Sequence, residues 1–473
     1  MRNLLPARSE RKLYLLLFVV SLIACGASIG YVHSVAKTSG TVMGNGYPTP
    51  DATMPGEFAT LTINMVERGV FSMATTSPYT PNMWRTPGYS AFMAPFYAVF
   101  ESFYPVLFAQ ILLVFLTTII VFKMARRVLS ERAALWVSLA YIVLPTTLLS
   151  VATIMNETLF TLVFLLALYV LLFSETGSLY GRFALTGFLL ALGAYIKPAG
   201  LYILFFLIPA YFVFYLPWKS ISRRHIFATL ILVLTFAATL FPWSLRNHTV
   251  LNSWEFASTS AFQLFRHNAT QFYEAYHDIP NIEARYALQD RAGLPRGAVP
   301  LDTTYSAVMK TVALEVIFEH PFSYAVFHVS TFIPFFASSG LIDYERYIYV
   351  MVPEFDPAEE PSLLQAIHPL SIPLLLVVLK NHGWTLIENF AWAFAFLLVL
   401  LGLWQGKDVR LARMLFAIML YFAVVTGPIA HARYRAPVEP FILIGAVAAA
   451  AYYLERYPQW RRYVPRGSRT PQQ

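Results

Sequence analysis

The feature that most constrains this chain is a recurring block of apolar residues, as in LYLLLFVVSLIACGASIGY (Leu13–Tyr31) and YPVLFAQILLVFLTTIIVF (Tyr104–Phe122). Such blocks run about 18–22 residues, the length a helix needs to cross a bilayer. Inside hydrocarbon every peptide N–H and C=O must be satisfied within the chain, so a run of this kind has to be a helix. The composition agrees: 57% of residues are hydrophobic and 13% charged, against about 45–50% and 25% in soluble domains. The chain reads as an all-α polytopic membrane protein. Leu13–Tyr31 is too long for a signal-peptide core and no small-residue cleavage site follows, so it is expected to remain as the first span.

Cations set the expected orientation. Arg2, Arg8, Arg11 and Lys12 precede the first span and place the N-terminus in the cytoplasm. Further basic clusters surround Lys123, Lys219, Lys407 and Arg456. If all are cytoplasmic, spans near 13–32, 104–122, 134–152, 157–173, 183–196, 199–217, 226–243, 384–404, 411–428 and 438–455 pair as outward and return crossings. Two more segments, 322–341 and a proline-interrupted 369–380, leave the count between ten and twelve. Residues 1–455 then form one membrane domain, and 456–473 a basic cytoplasmic tail. The net charge of +8 follows from this rule and gives no reason to expect a nucleic-acid partner. The single cysteine, Cys25, lies in the first span and reads as a packing residue.

Two outward segments, 33–103 and 244–320, are too long to be plain connectors, and long loops in compact proteins are usually functional. In the first, Phe58, Leu61, Met65 and Val66 recur at helical spacing, with Glu57 in the opening turn and Gly69 just past the end. The pattern predicts an amphipathic helix lying on the outer membrane surface. YPTPDATMPG, just before it, sets Asp51 among three prolines.

The polar features expected on the outer face are Asp51 with Glu57, the turn NMWRTPGY around Arg85, MNET with Glu157, and HARYRAPVEP with His431, Arg433, Tyr434 and Arg435. Lys197 and Arg246 fall at the outer ends of their spans. Outward loops tend to be poor in Lys and Arg, so these cations call for an anionic partner. Structural roles are available too. Glu57 would complement a helix N-terminus, Glu157 would open the fourth span, and Arg433 and Arg435 could snorkel to the interface. No P-loop, GxGxxG, HExxH or GxSxG occurs. No cofactor is required by the sequence, and the need for a divalent metal stays open.

Taken in order, these features resemble the GT-C glycosyltransferases that use polyprenyl-phosphate sugars, in particular the group of protein O-mannosyltransferases and the lipid A aminoarabinose transferase. The pieces read TPDATMPGEFATLTINMVERGVFS, WRTPGYSAFMAPFY, NETLFTLVFLLALY, Lys197-Pro198, PWSLRN and RYRAPVEP, and they touch most of residues 1–455. Met54 stands where the family usually has its Asp, three residues after Asp51. Phe58 replaces a tyrosine, and Lys197 an arginine.

The resemblance implies a GT-C fold and transfer of a sugar from a polyprenyl-phosphate donor to a lipid, glycan or protein hydroxyl. The active site would face outward from the cell membrane. Asp51 would be the base, with Glu57 in reserve, while Glu157 would orient sugar or acceptor. Arg433 and Arg435, supported by Arg246, Lys197 and Arg85, would hold the leaving phosphate, with His431 and Tyr434 beside them. A transporter or flippase of lipid-linked sugars is the alternative. Against it, no convincing internal repeat occurs, His328 alone among ionisable side chains reads as deep in the membrane, and the polar features fall almost entirely on one face. Asp51→Asn is expected to abolish transfer while leaving expression and donor binding intact. Near-normal turnover of that variant in a labelled-sugar assay would move the role to Glu57.

Overall fold

Each of the ten runs expected to cross is helical in the computed structural model, which describes residues 8–38, 56–174, 177–296, 305–349, 372–404, 408–429 and 431–457. Asp51 lies outside the described residues. The first half of the chain gives α1 (Arg8–Thr38), α2 (Glu57–Arg68), α3 (Gly88–Phe100), α4 (Tyr104–Ala125), α5 (Glu131–Ile142), α6 (Pro145–Ala152), α7 (Glu157–Phe173), α8 (Leu179–Ile196), α9 (Leu204–Ala210) and α10 (Arg223–Leu251). The second half gives α11 (Thr259–Gln263), α12 (Thr270–His277), α13 (Asn281–Arg291), α14 (Ser306–Glu319), α15 (Pro321–Ser330), α16 (Phe332–Ala337) and α17 (Gly340–Tyr349). α18 (Ile372–Gly402), α19 (Val409–Thr426), α20 (Ala432–Arg435) and α21 (Glu439–Arg456) complete it. No strand occurs among the described residues.

Among the described residues seven helices are long and apolar enough to cross a membrane, or eight if the bent α5–α6 pair is one span. The pair bends by 49° because Pro145 cannot donate into the α5 ladder and pushes Leu144 into an extended conformation. Two expectations change. Residues 372–380 are not a separate crossing; they run straight into α18, with Pro373 in the first turn, where no N–H is needed. Segment 322–341 breaks at Thr331 into α15 and α16 and leads into α17.

The predicted amphipathic helix is α2, ended by Gly69 in a left-handed conformation at φ 66°. Its buried side is not the apolar stripe alone: Thr60, Thr62 and Asn64 are buried with Leu61. α2 packs on α3, and the Asn64 amide donates to the carbonyls of Ser72 (2.8 Å) and Ala74 (2.9 Å), folding the following chain back. The expected amphipathic helix is therefore present, and its inner side is clamped onto its neighbour α3.

Gln110, fully buried on α4, ties three elements together. Its amide donates to the carbonyls of Val151 (3.1 Å) and Thr153 (2.9 Å) at the end of α6. Its carbonyl oxygen accepts from Tyr89 Oη (2.8 Å) on α3 and Thr158 Oγ1 (3.0 Å) on α7. An amide has two donors and an acceptor with two lone pairs, so the residue is saturated. α3 also approaches α8 so closely that a Cβ on Gly88 would stand 2.6 Å from the Tyr195 carbonyl, which accounts for the glycine of RTPGY. The 244–320 segment builds a small core of its own around Phe265, Phe272, Leu288, Met309 and Val316.

Gln110→Leu removes all four bonds at once. Buried groups left unmade cost about 1–3 kcal/mol each, so the variant is expected to lose at least about 2 kcal/mol of stability. Thermal unfolding in detergent checks this; an unchanged midpoint would mean the four partners find each other without it.

Candidate active site

The local sequence fixes where the charges go. Pro198 disfavours a helical conformation at the residue before it, so Lys197 ends α8 in an extended conformation (φ −142°, ψ 122°). Asn156 donates to the Ile196 carbonyl at 2.8 Å, pinning the start of α7 to the end of α8. That places Lys197 Nζ 3.0 Å from Glu157 Oε1. Both residues are buried, at 8% and 6% exposure, and a buried charge is tolerated only when paired.

This ion pair lies on the wall of a cavity of about 1240 Å³. The cavity is large beside ordinary ligand pockets of about 300–1,000 Å³. Arg85 and Thr86 come from the RTPGY turn, Tyr202 from the stretch after Lys197, and His431, Arg433 and Tyr434 from α20 and its approach. The second long segment contributes Glu255, Gln263, His267, Asn268 and Lys310. The Tyr434 ring lies between two cations, with Lys197 Nζ 4.8 Å and Arg433 Cζ 5.0 Å from its centroid. Arg433 also donates to Tyr434 Oη at 3.2 Å.

Burial and neighbouring charges act against each other at several groups here. Burial alone would raise the Tyr434 hydroxyl, but Arg433 and Lys197 more than reverse it and leave it below the usual tyrosine range. The Arg433 guanidinium is pushed up, first by Tyr434, against burial, and then by Glu157 and Asp343. Burial would raise the Asp343 carboxyl, yet His431 and Arg433 bring it below its ordinary value. His267 is pushed down to about 4 by burial and by Arg266, His431 and Arg433, so it stays uncharged at neutral pH.

Of the residues singled out in the sequence, the structure brings Glu157, Lys197, Arg85, His431, Arg433 and Tyr434 to one cavity. Three do not line it. Glu57 is paired with Arg85 and accepts from Trp84 Nε1 at 3.2 Å, so its carboxylate fastens α2 to the RTPGY turn. Arg246 donates to the Asn82 carbonyl (3.0 Å) and to Asn247 (2.9 Å) and lies over Trp243, where it braces the connection before α3. Arg435 is wholly buried (0% exposed). It donates to Glu439 (3.3 Å) and to the Phe335 and Phe336 carbonyls (3.1 Å each) and lies 4.0 Å over the Trp392 ring. Its expected place on a donor phosphate is corrected to a place in the helix packing.

Other groups carried no motif. Tyr324 donates to Asn268 Oδ1 at 2.9 Å and lies 3.1 Å from His328 Nδ1, while His328 Nε2 meets the Val424 carbonyl at 3.0 Å. Gly427, at φ 53°, allows the chain to pass this cluster, since a Cβ there would stand 2.8 Å from both Asn268 and His328. The richness of the 244–320 segment in His, Asn and Tyr was the available signal. Among the described residues no group of three His, Cys, Asp or Glu side chains converges as a metal site.

Part of this wall has a known counterpart. Residues 84–243 match the dolichyl-phosphate-mannose-protein mannosyltransferase family. The match runs from Trp84 to Trp243 and includes Arg85, Glu157 and Lys197. No curated protein matches the chain. Among solved structures, it is similar to the apo oligosaccharyltransferase of Archaeoglobus fulgidus, with 10% identity and a TM-score of 0.49, over 97% of this chain and 52% of that one. It is also similar to ArnT of Cupriavidus metallidurans bound to undecaprenyl phosphate, with 16% identity and a TM-score of 0.38, over 93% and 81%. The chain thus spans about half the length of the archaeal protein.

The ion pair generates a prediction. Lys197→Met or Glu157→Gln alone strands a buried partner, and breaking such a pair costs about 3–5 kcal/mol. The double variant is expected to recover much of that loss. Equal loss in all three variants, measured by thermal unfolding, would show that the two residues do not compensate each other.

Proposed function

We propose that the cavity transfers a sugar from a polyprenyl-phosphate carrier to an acceptor hydroxyl at the outer face of the cell membrane, with both termini cytoplasmic. The observation that carries this reading is the convergence of Arg85, Lys197 and Arg433 on one large cavity at an end of the helices. The RTPGY turn, the start of α7 and the end of α8 on its wall all fall in the stretch shared with a mannosyltransferase family. Lipid-level cations of this kind suit a lipid phosphate, which gains negative charge as the bond to the sugar breaks.

In the reaction, the acceptor oxygen attacks the anomeric carbon as the bond from that carbon to the phosphate oxygen breaks. The proton passes to a carboxylate, and the polyprenyl phosphate leaves with the bonding electrons. Among the described residues the carboxylates on the cavity wall are engaged, Glu157 by Lys197 and Glu255 by Ser306 (2.6 Å). The base is assigned, as the family resemblance implies, to Asp51, on the chain just before α2, with Glu57 in reserve. A single base and a phosphate leaving group imply inversion at the anomeric carbon. Arg433 would hold the phosphate, Tyr434 would align it with Lys197, and the 244–320 segment would receive the acceptor. No cofactor is assigned, and added divalent cations are a variable of the assay.

Purified protein incubated with labelled polyprenyl-phosphate sugars is expected to pass label to lipid, glycan or protein acceptors. Arg433→Ala is expected to weaken binding of undecaprenyl phosphate about tenfold or more, the scale of one charge-assisted contact. Arg435→Ala is expected to lower thermal stability instead. Unchanged affinity in Arg433→Ala would remove that residue from the donor site.

A further inference from the structure

The residue that aims Arg433 and His431 at the cavity comes from another helix. α17 is held from several sides. The Glu388 carboxylate on α18 accepts the backbone N–H groups of Gly340 and Leu341 (3.0 Å each) and the Ser339 hydroxyl. Trp392 Nε1 donates to the same carboxylate at 3.1 Å. Tyr344 Oη meets Ser28 Oγ of α1 at 2.9 Å. Gly340 sits against α6 so tightly that a Cβ would stand 2.8 Å from Thr146 Cγ2. A helix anchored this way has little freedom to slide or turn.

What α17 presents is Asp343, whose side chain is 10% exposed. Oδ2 accepts the backbone N–H of Arg433 at 3.0 Å, and Oδ1 lies 3.4 Å from His431 Nδ1. α20 is four residues long, too short to hold its own orientation through helical bonds. Its last residue, buried Arg435, is anchored to Glu439 and the α16 carbonyls, and Asp343 is the acceptor that holds its first turn, where Arg433 and Tyr434 lie.

We propose that Asp343 is the positioning residue of this site, fixing α20 so that Arg433 and His431 face the cavity. It does not touch the reacting atoms. Its role in transfer rests on the reading that Arg433 holds the donor phosphate, but the positioning itself does not depend on that reading.

The two functions of the carboxylate, accepting the Arg433 backbone N–H and facing the His431 ring, can be separated by substitution. Asp343→Asn keeps an oxygen that can accept from the Arg433 N–H, whereas Asp343→Ala keeps none. Hydrogen exchange of the 430–436 segment, measured on the full-length protein in detergent without any lipid, reads the positioning directly. Exchange there is expected to accelerate about tenfold in Asp343→Ala, on the scale of a lost bond to a charged group, and to stay within about threefold of wild type in Asp343→Asn. Unchanged exchange in Asp343→Ala overturns the proposal. So does acceleration spread over α17, α18 and α20 alike, which would mark a general packing role.

A parallel measurement with undecaprenyl phosphate and its sugar conjugate tests the consequence. Asp343→Ala is expected to raise KM for the donor about tenfold with a smaller change in kcat, and Asp343→Asn to rescue it. If wild type binds no lipid phosphate, the proposed function fails while the exchange result still decides the role of Asp343.

Discussion

The site depends on one ion pair held where water is scarce. Lys197 and Glu157 sit on adjacent helix ends, and neither could stay charged there alone. Their pairing constrains the backbone as much as the side chains: the start of α7 must face the end of α8. Asn156, bonded to the Ile196 carbonyl, and Gln110, bonded across α3, α6 and α7, supply that alignment. Gly88 then lets α3 close on the end of α8, carrying the RTPGY turn and Arg85 to the same wall. The cationic wall is thus a consequence of how four helix ends are stapled together.

Much of this was legible from the sequence because membrane helices have little choice. Apolar runs of bilayer length give helices, prolines mark where they stop, and basic clusters suggest a side. On those grounds Glu157, Lys197 and Arg433 could be expected at one end of the bundle, and the cavity unites them. What a linear reading resolves poorly is rotation about a helix axis. Arg433 and Arg435 share one motif, yet on a helical turn residues two apart face away from each other. One meets the cavity, while the other is sealed among Trp392, Glu439 and the carbonyls of α16. Spacing puts both on the same turn but does not say which face is lined by space and which by protein.

The same limit explains Glu57 and Arg246. Each lies in one of the two long connecting segments, where an unpaired charge would invite a ligand, and each instead has a protein partner supplied from elsewhere in the chain: Arg85 for Glu57 and the Asn82 carbonyl for Arg246. α2 adds a partner that its apolar stripe did not reveal: Asn64 and Thr62 are buried against α3 and the returning chain. Long-range partners of polar residues cannot be seen in a periodicity, and they decided these positions.

The charge balance of the wall carries a further consequence. Lys197 faces Glu157, Arg85 faces Glu57, and Arg433 is bonded through its backbone to Asp343. Lys197 and Arg85 therefore each have an internal anion in contact, Arg433 has Asp343 close by, and His267 stays neutral. Such a wall is stable while empty, which a cluster of bare cations in a low-dielectric site would not be. An anion arriving at Lys197 or Arg85 must compete with Glu157 or Glu57 for the same donors, so its net affinity there is a difference between two opposing terms. For any anion, then, what the wall gains is set by how far that ligand can draw the donors from the carboxylates they already meet, and not by the number of cations alone.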